Sequence, residues 1–508
     1  MAAHAPPSRA QRLLALGERR FDLLVIGAGI TGAGVARDAA RRGLSVALVD
    51  GDDFAAGTSS RSSRLIHGGV RYLEHGYLHL VFEASRERRR LLAVAPHLVR
   101  PLRFTWPVYR GARVPRWKLA AGLTLYDTLA LFRNVGRHRQ LSAKEVAESE
   151  PALERSDLRG GAMYWDAATD DARLTLANVI DAAAHGALVM NHARVTQLTF
   201  GAAHGPANGA IVRDVLGGHD VNVTARLVVN TTGPWTDEIA NLEESKRGTA
   251  VRGTKGSHIA VSAARVGNGG AVTMISPDDG RVLFTLPSTG GLTIIGTTDT
   301  ASSEHPAEVR AARADVRYLL SACNRFFPAA RLTDADVVSA WAGIRPLVAA
   351  GNKGDPSSAS REHAIRFSPR GVLAITGGKL TTFRAMAQEI VDVALKKLGT
   401  AARPCDTQTA PLLGARAEAD GSDVRLTPEL LWRVRDVEQA VEREFAESVA
   451  DVMIRRTTMA FEVRDQGRAL APRVAAAMAP RLGWTEAGTR HAVEEYSREV
   501  ERIFTITP

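Results

Sequence analysis

The chain has 508 residues, of which 45% are hydrophobic and 24% charged, with a formal net charge of +10. That length predicts two or three domains rather than one core, and the composition is ordinary for a soluble globular protein. Two cysteines, Cys323 and Cys405, with no CxxC pair, exclude a disulfide framework and a cysteine-built zinc site, and they fit a reducing cytoplasm.

The positive charge has two readings: attraction to anions such as phosphorylated substrates, nucleic acid or an acidic membrane face, or an arginine-rich background without a partner. Basic residues are scattered, with no lysine-rich tail and no repeated aromatic–basic pattern, which argues against nucleic acid. Near the N-terminus, Arg9 and Arg12 precede a short apolar stretch, Leu13 to Leu16, that Gly17 and Glu18 end. It is too short for a secretory signal, and no segment is long enough to span a bilayer. The expectation is a cytoplasmic protein with a short disordered N-terminal arm.

Phe21 to Ile26 is an apolar run that predicts a buried parallel strand. It leads into Gly27-Ala28-Gly29-Ile30-Thr31-Gly32, a helix-like stretch Ala33 to Arg42, a C-capping Gly43, and a second strand, Leu44 to Val49, ending in Asp50. Each part has a reason. Gly27 allows the tight turn, Gly29 lets backbone approach a pyrophosphate, and Gly32 allows helix to pack on strand. The helix start offers unpaired N–H groups to phosphates, and Asp50 can accept from ribose hydroxyls. This order predicts dinucleotide binding and leaves NAD and FAD both open.

The segment Gly57 to Gly69 is rich in hydroxyls and glycines and follows the ribose-binding strand, so it can lie along an extended dinucleotide. Its second half, Ser62-Ser63-Arg64-Leu65-Ile66-His67-Gly68-Gly69-Val70-Arg71-Tyr72-Leu73-Glu74-His75, closely resembles the signature of FAD-dependent glycerol-3-phosphate dehydrogenases, within the D-amino-acid-oxidase-like flavoproteins. Further blocks resemble the family in order: Trp165 to Leu174, Val229 to Trp235, Lys255 to His258, Ile295 to Asp299, Gly343 to Leu347 and Gly377 to Thr382. The similarity is strong from about 20 to 400 and weaker beyond. Thr231 stands where the family usually has alanine.

The resemblance implies an α/β fold: a Rossmann-like FAD-binding domain, a mixed or antiparallel-sheet substrate domain, and a C-terminal helical domain. The segments 18–90, 160–250 and 350–400 would bind FAD, with 91–159 and 251–349 as substrate domain, 401–424 as linker and 425–508 as the helical domain. Arg281 to Leu286 and Leu292 to Gly296 read as antiparallel strands, Thr427-Pro428 as a helix start, and Trp484-Thr485-Glu486 as another. The C-terminal part carries no chemical motif.

Cofactor contacts fall on Gly27, Gly29, Gly32, Asp50, Thr58, Ser59, Ser63, His67, Gly68, Gly233, Gly378, Lys379, Leu380 and Thr381. The implied substrate is glycerol 3-phosphate, whose phosphate needs cations and whose secondary alcohol needs a proton acceptor. By resemblance, Arg71 and Tyr72 lie near the substrate, Arg345 faces the flavin, and Arg361 helps bind the phosphate, with Lys379 a further candidate cation that orients the substrate. His258, at a strand entrance, can act as the general base, with Arg345 or water as the alternative acceptor. No His/Asp/Glu grouping has metal-binding spacing, and no GxSxG is present.

Family members pass electrons to membrane quinone, so the expected setting is the inner face of the cytoplasmic membrane. The segment Arg116 to Arg133, with Leu119, Leu123, Leu125, Tyr126, Leu129 and Phe132, reads either as an interfacial helix or as a core-facing amphipathic one. A family oxidase using oxygen, an NAD-dependent dehydrogenase and a non-catalytic flavin protein that binds RNA are the rival readings. The oligomeric state stays open, a homodimer among the options.

Overall fold

The computed structural model describes residues 6–131, 134–201, 205–243, 251–276, 278–348, 363–413 and 424–508, and leaves out the side chains of Arg71, His75, Val251, Arg252 and Val348. Apolar strands early in the chain, around 225 and around 373, converge on one eight-stranded sheet. Its order is His363–Phe367, Leu373–Gly377, Asp220–Asn230, Arg20–Ile26, Val46–Val49 and Leu188–Met190, with Ala193–Phe200 and Ala207–Asp214 extending from Asp220–Asn230. The central strands are parallel, with Val25 between Val229 and Leu48. Parallel strands need cover on both faces. The alanine-rich helix Ile30–Arg41 supplies part of that cover by burying Ala33, Ala36, Ala39 and Ala40 in the core that also holds Leu23 and Val25.

The second sheet has ten strands and is largely antiparallel. Val282–Pro287 pairs antiparallel with Leu292–Gly296, as the alternation predicts, and Val337–Val348 pairs with Val251–Ser262. The strand Leu158–Ala168 belongs to this sheet, so the boundary placed at 160 falls inside a strand.

Two expectations change, and one left open between two readings is narrowed. The N-terminal arm is a helix, Arg9–Glu18, because Ser8 and Gln11 form a capping box and Leu13 and Leu16 are buried. Arg12 then pairs with Glu447 at 2.8 Å, tying the arm to the C-terminal part. Thr427-Pro428 does not start a helix: a bridge between Arg425 and Arg433 closes a turn over it, and the helix begins at Val434. The helix Arg116–Leu129 buries Leu119, Leu123 and Tyr126 in the core of the second sheet, so most of its apolar face is occupied. Phe132 and Arg133 lie outside the described residues. Thr485 does cap a helix, Glu486–Phe504, with its side chain accepting from the Gly488 N–H.

Candidate active site

Gly27 has a φ of 95°, a conformation that favours glycine. A Cβ on Gly32 would lie 1.9 Å from the Gly27 carbonyl oxygen, so only glycine lets this helix meet this turn. At the helix start, the Ile30 N–H donates to Ser59 Oγ at 2.9 Å. Asp50 accepts from the Ala28 N–H at 2.6 Å and from the Asp52 N–H at 3.0 Å. Burial raises its carboxyl to about 7 despite those two donors. The 57–63 segment is anchored from the other sheet, where Thr58 Oγ1 donates to the Ile344 carbonyl at 2.6 Å.

The turn opens into a cavity of about 890 Å³ that runs between the two sheets. Gly29, Asp50, Ser59 and Gly233 line its nucleotide end, while Tyr72, His258, Arg345 and Lys379 line the other, facing an aromatic wall of Phe104, Trp106, Tyr164 and Phe284.

Strand register builds that second end. His258 stands opposite both Gly296 and Trp341 in the antiparallel ladder. Its ring stacks on Trp341 at 5.5 Å and 11°, and Nε2 shares a 2.8 Å hydrogen bond with Ser63 Oγ. Nδ1 is buried with no hydrogen-bond partner among the described residues. Burial, then the charges of Arg345 and Arg64, lower the imidazole pKa to about 3, so it is neutral at working pH. Arg345, opposite Thr254, passes over Gly256, where a Cβ would lie 2.3 Å from its terminal nitrogen. Asp299 at 3.1 Å and Thr297 Oγ1 at 3.0 Å orient it. Lys379 Nζ sits 4.0 Å from the Tyr72 ring centroid.

Most of the residues singled out from sequence meet on this cavity: Gly27, Gly29, Asp50, Thr58, Ser59, Ser63, His67, Tyr72, Gly233, His258, Arg345, Gly378, Lys379 and Leu380. Gly32, Gly68 and Thr381 stand behind its wall. Gly68 gives its N–H to Asp166 at 2.9 Å and lies under Tyr126, and the Thr381 hydroxyl bonds the backbone of His67. Both support the loop rather than line the cleft. Arg361 lies outside the described residues, as does the Arg71 side chain. Sequence reasoning missed Trp341, Arg61, Arg64, Glu499 and Arg502. Arg64 sits inside the matched signature and Arg61 immediately before it, whereas Glu499 and Arg502 come from the last helix and had no local signal.

A cluster of Asp53, His192 and Asp451 has metal-like proximity. Arg455 at 2.6 Å and Arg456 already neutralise Asp53, so these groups form an internal charge network and not a cation site.

A glycine turn with no room for a Cβ, helix N–H groups at its mouth, a carboxylate at the second strand end and a long cleft leading to cations fit an extended dinucleotide such as FAD. A family model described as FAD dependent oxidoreductase matches residues 22–391, and one described as the C-terminal domain of alpha-glycerophosphate oxidase matches residues 407–489. An aerobic glycerol-3-phosphate dehydrogenase of Staphylococcus saprophyticus is 39% identical over 383 residues, 75% of this chain and 68% of that one. Its namesake in Staphylococcus aureus is 38% identical over 398 residues, 78% and 71% of the two chains. The structure of the glycerol-3-phosphate dehydrogenase from Bacillus halodurans complexed with FAD covers 97% of both chains, with a TM-score of 0.78 and 30% identity. The L-alpha-glycerophosphate oxidase of Mycoplasma pneumoniae with FAD bound shares the fold, with a TM-score of 0.60 and 17% identity over 78% of this chain and 100% of that one. Geometry and similarity agree: FAD is the cofactor, and the chain belongs to the family of FAD-dependent glycerol-3-phosphate dehydrogenases.

Proposed function

We propose that this chain oxidises sn-glycerol 3-phosphate to dihydroxyacetone phosphate and passes the electrons to membrane quinone. The observation that carries the reading is the meeting of His258, Arg345 and Lys379 in the same cavity as the glycine turn. Gly29, Asp50, Thr58, Ser59, Ser63, His67, Gly233, Gly378, Lys379 and Leu380 would hold FAD. Bound there, FAD supplies a two-electron acceptor for the hydride from C2. The chain's own residues do the rest. Neutral His258 accepts the C2 hydroxyl proton, and Arg345 stabilises the negative charge that develops on that oxygen. Lys379, Arg71 and Arg361 attract and orient the phosphate, with Tyr72 beneath the Lys379 ammonium. The imidazolium formed at His258 is disfavoured by burial and by Arg345, and a bound dianionic phosphate offsets both.

Anaerobic addition of glycerol 3-phosphate to the purified protein is expected to bleach its visible flavin absorption. A flavin spectrum that stays oxidised at saturating substrate would overturn the substrate assignment. Reoxidation by a short-chain quinone is expected to outpace reoxidation by oxygen. Stoichiometric peroxide with no quinone reduction would instead favour an oxidase.

A peripheral contact with the cytoplasmic membrane face belongs to this reading. Among the described residues no helix is long and apolar enough to cross a membrane. On the helix Arg116–Leu129, however, Trp117 is 74% exposed beside Arg116 and Lys118, and Leu125 is 39% exposed. Changing both Trp117 and Leu125 to Ser is expected to reduce co-sedimentation with anionic vesicles at an unchanged melting temperature. Undiminished co-sedimentation would place the contact elsewhere. Leu123, fully buried, is unsuitable for this test because its truncation reports on core packing.

A further inference from the structure

Arg61 is 5% exposed and lines the large cavity, with Nε buried and without a hydrogen-bond partner. Among the described residues its guanidinium has no ion pair within 4.0 Å. Such burial is costly for a charge unless something pairs it. The carboxylates that act on it from further away are Glu499 and Asp52. Both are already engaged: Asp52 pairs with Arg502 at 3.1 Å, and Glu499 pairs with Arg502 at 2.6 Å and Arg455 at 3.5 Å. Arg502 and Arg455 repel Arg61 in turn. Arg61 therefore has no carboxylate of its own beside the cavity.

The position of Arg61 says which anion is missing. The Arg61 N–H closes the short turn Thr58–Ser60 by donating to the Thr58 carbonyl at 3.1 Å. Within that turn, Ser59 touches the first N–H of the nucleotide helix at Ile30. Arg61 thus enters the cavity two residues along the chain from the serine that meets the helix terminus. It is held there by Gly343, where a Cβ would lie 3.0 Å from the Arg61 carbonyl oxygen. Of the parts of FAD, only the diphosphate is anionic. The helix terminus offers roughly half a positive charge against it.

We propose that Arg61 binds the diphosphate of FAD, and that Glu499 and Arg502 of the last helix hold the wall that keeps this cation facing the cofactor. The proposal does not depend on which alcohol is oxidised, so a protein that binds FAD but is not bleached by glycerol 3-phosphate leaves it standing.

Full-length protein stripped of FAD, titrated calorimetrically with ADP and with adenosine, separates phosphate recognition from nucleoside recognition. Relative to the parent, R61Q is expected to bind ADP about ten- to a hundredfold more weakly, as for a lost charge-assisted hydrogen bond, and adenosine equally well. R61K should recover part of the ADP affinity. FAD release from the holoenzyme, followed by the fluorescence of free flavin, should accelerate in R61Q. The melting temperature of stripped R61Q should equal or exceed that of the stripped parent, because an unpaired buried charge is removed. A purely structural Arg61 predicts the reverse: a lower melting temperature without FAD, and the ADP-to-adenosine preference unchanged. Equal losses for ADP and adenosine would likewise overturn the proposal.

Discussion

Replacing His258 with asparagine is expected to lower kcat with glycerol 3-phosphate by about 10²–10⁴-fold, the range of a lost general base, with FAD content unchanged and KM altered far less. The geometry concentrates this effect on one ring. His258 is locked between the Trp341 face and the Ser63 hydroxyl, and its other nitrogen is unpartnered among the described residues. A group with a pKa lowered to about 3 is neutral across the working range, so its lone pair is free, and it gains the basicity to take the proton only once the bound phosphate offsets the nearby positive charge. This fixes the pH behaviour as well. The free enzyme should show no acid limb in kcat/KM near 6.5 that belongs to His258. A limb at that position that vanishes in the variant would mean the imidazole titrates as in water and is less buried than described. Full turnover by the asparagine variant would remove His258 from the chemistry and leave Arg345 or water as the proton acceptor.

What was legible in the sequence is what is local. The turn Gly27 to Gly32, its flanking strands and Asp50 follow from spacing, because phosphate recognition by a helix start needs all of them within one βαβ unit. The antiparallel strands at 282–287 and 292–296 follow from alternation. The Ser8 capping box was also present to be read, yet the charged flanks and the short apolar run concealed a helix whose inner face, Leu13 and Leu16, packs on a strand far along the chain. Register was not legible. Nothing around Trp341 says that it lies flat against His258, since that follows only from which strand pairs with Val251–Ser262 and in which alignment.

Charge pairing at long range was equally hidden, and it explains why the C-terminal part looked chemically silent. A π-helical turn, Asp451–Arg456, points two consecutive arginines inward, a placement that ordinary helical spacing does not predict. They meet Asp53, more than 400 positions earlier and three residues after Asp50. The helical domain thus reaches the cofactor site twice: through this pair, and through Glu499 and Arg502 on the cavity wall. These contacts make its expected role architectural, at the end of the cavity that the glycine turn lines.

That role makes Asp53→Asn the second large prediction. Asp53 is fully buried and accepts from Arg455 at 2.6 Å, from Arg456 at 2.8 Å and from Asn191 at 2.9 Å. Asparagine keeps the shape but leaves two buried guanidinium groups short of a counter-charge, which costs about 3–5 kcal/mol when a buried ion pair loses one partner. Denaturant unfolding should show that loss, and FAD should be released more readily because the end of the second strand loses its tether. His192 supplies an independent check. Burial opposes its charge, but Asp451, with Asp53 and Asp52 behind it, raises its pKa from the ordinary 6.5 to about 9. A raised histidine stabilises the fold fully below pH 6.5 and progressively less as pH climbs through 9. Removing the Asp53 charge lowers that upper bound, so the alkaline loss of stability should begin at lower pH in the variant. A change under about 1 kcal/mol, the scale of an exposed pair, with the same alkaline profile would show that the helical domain is held by its apolar contacts alone.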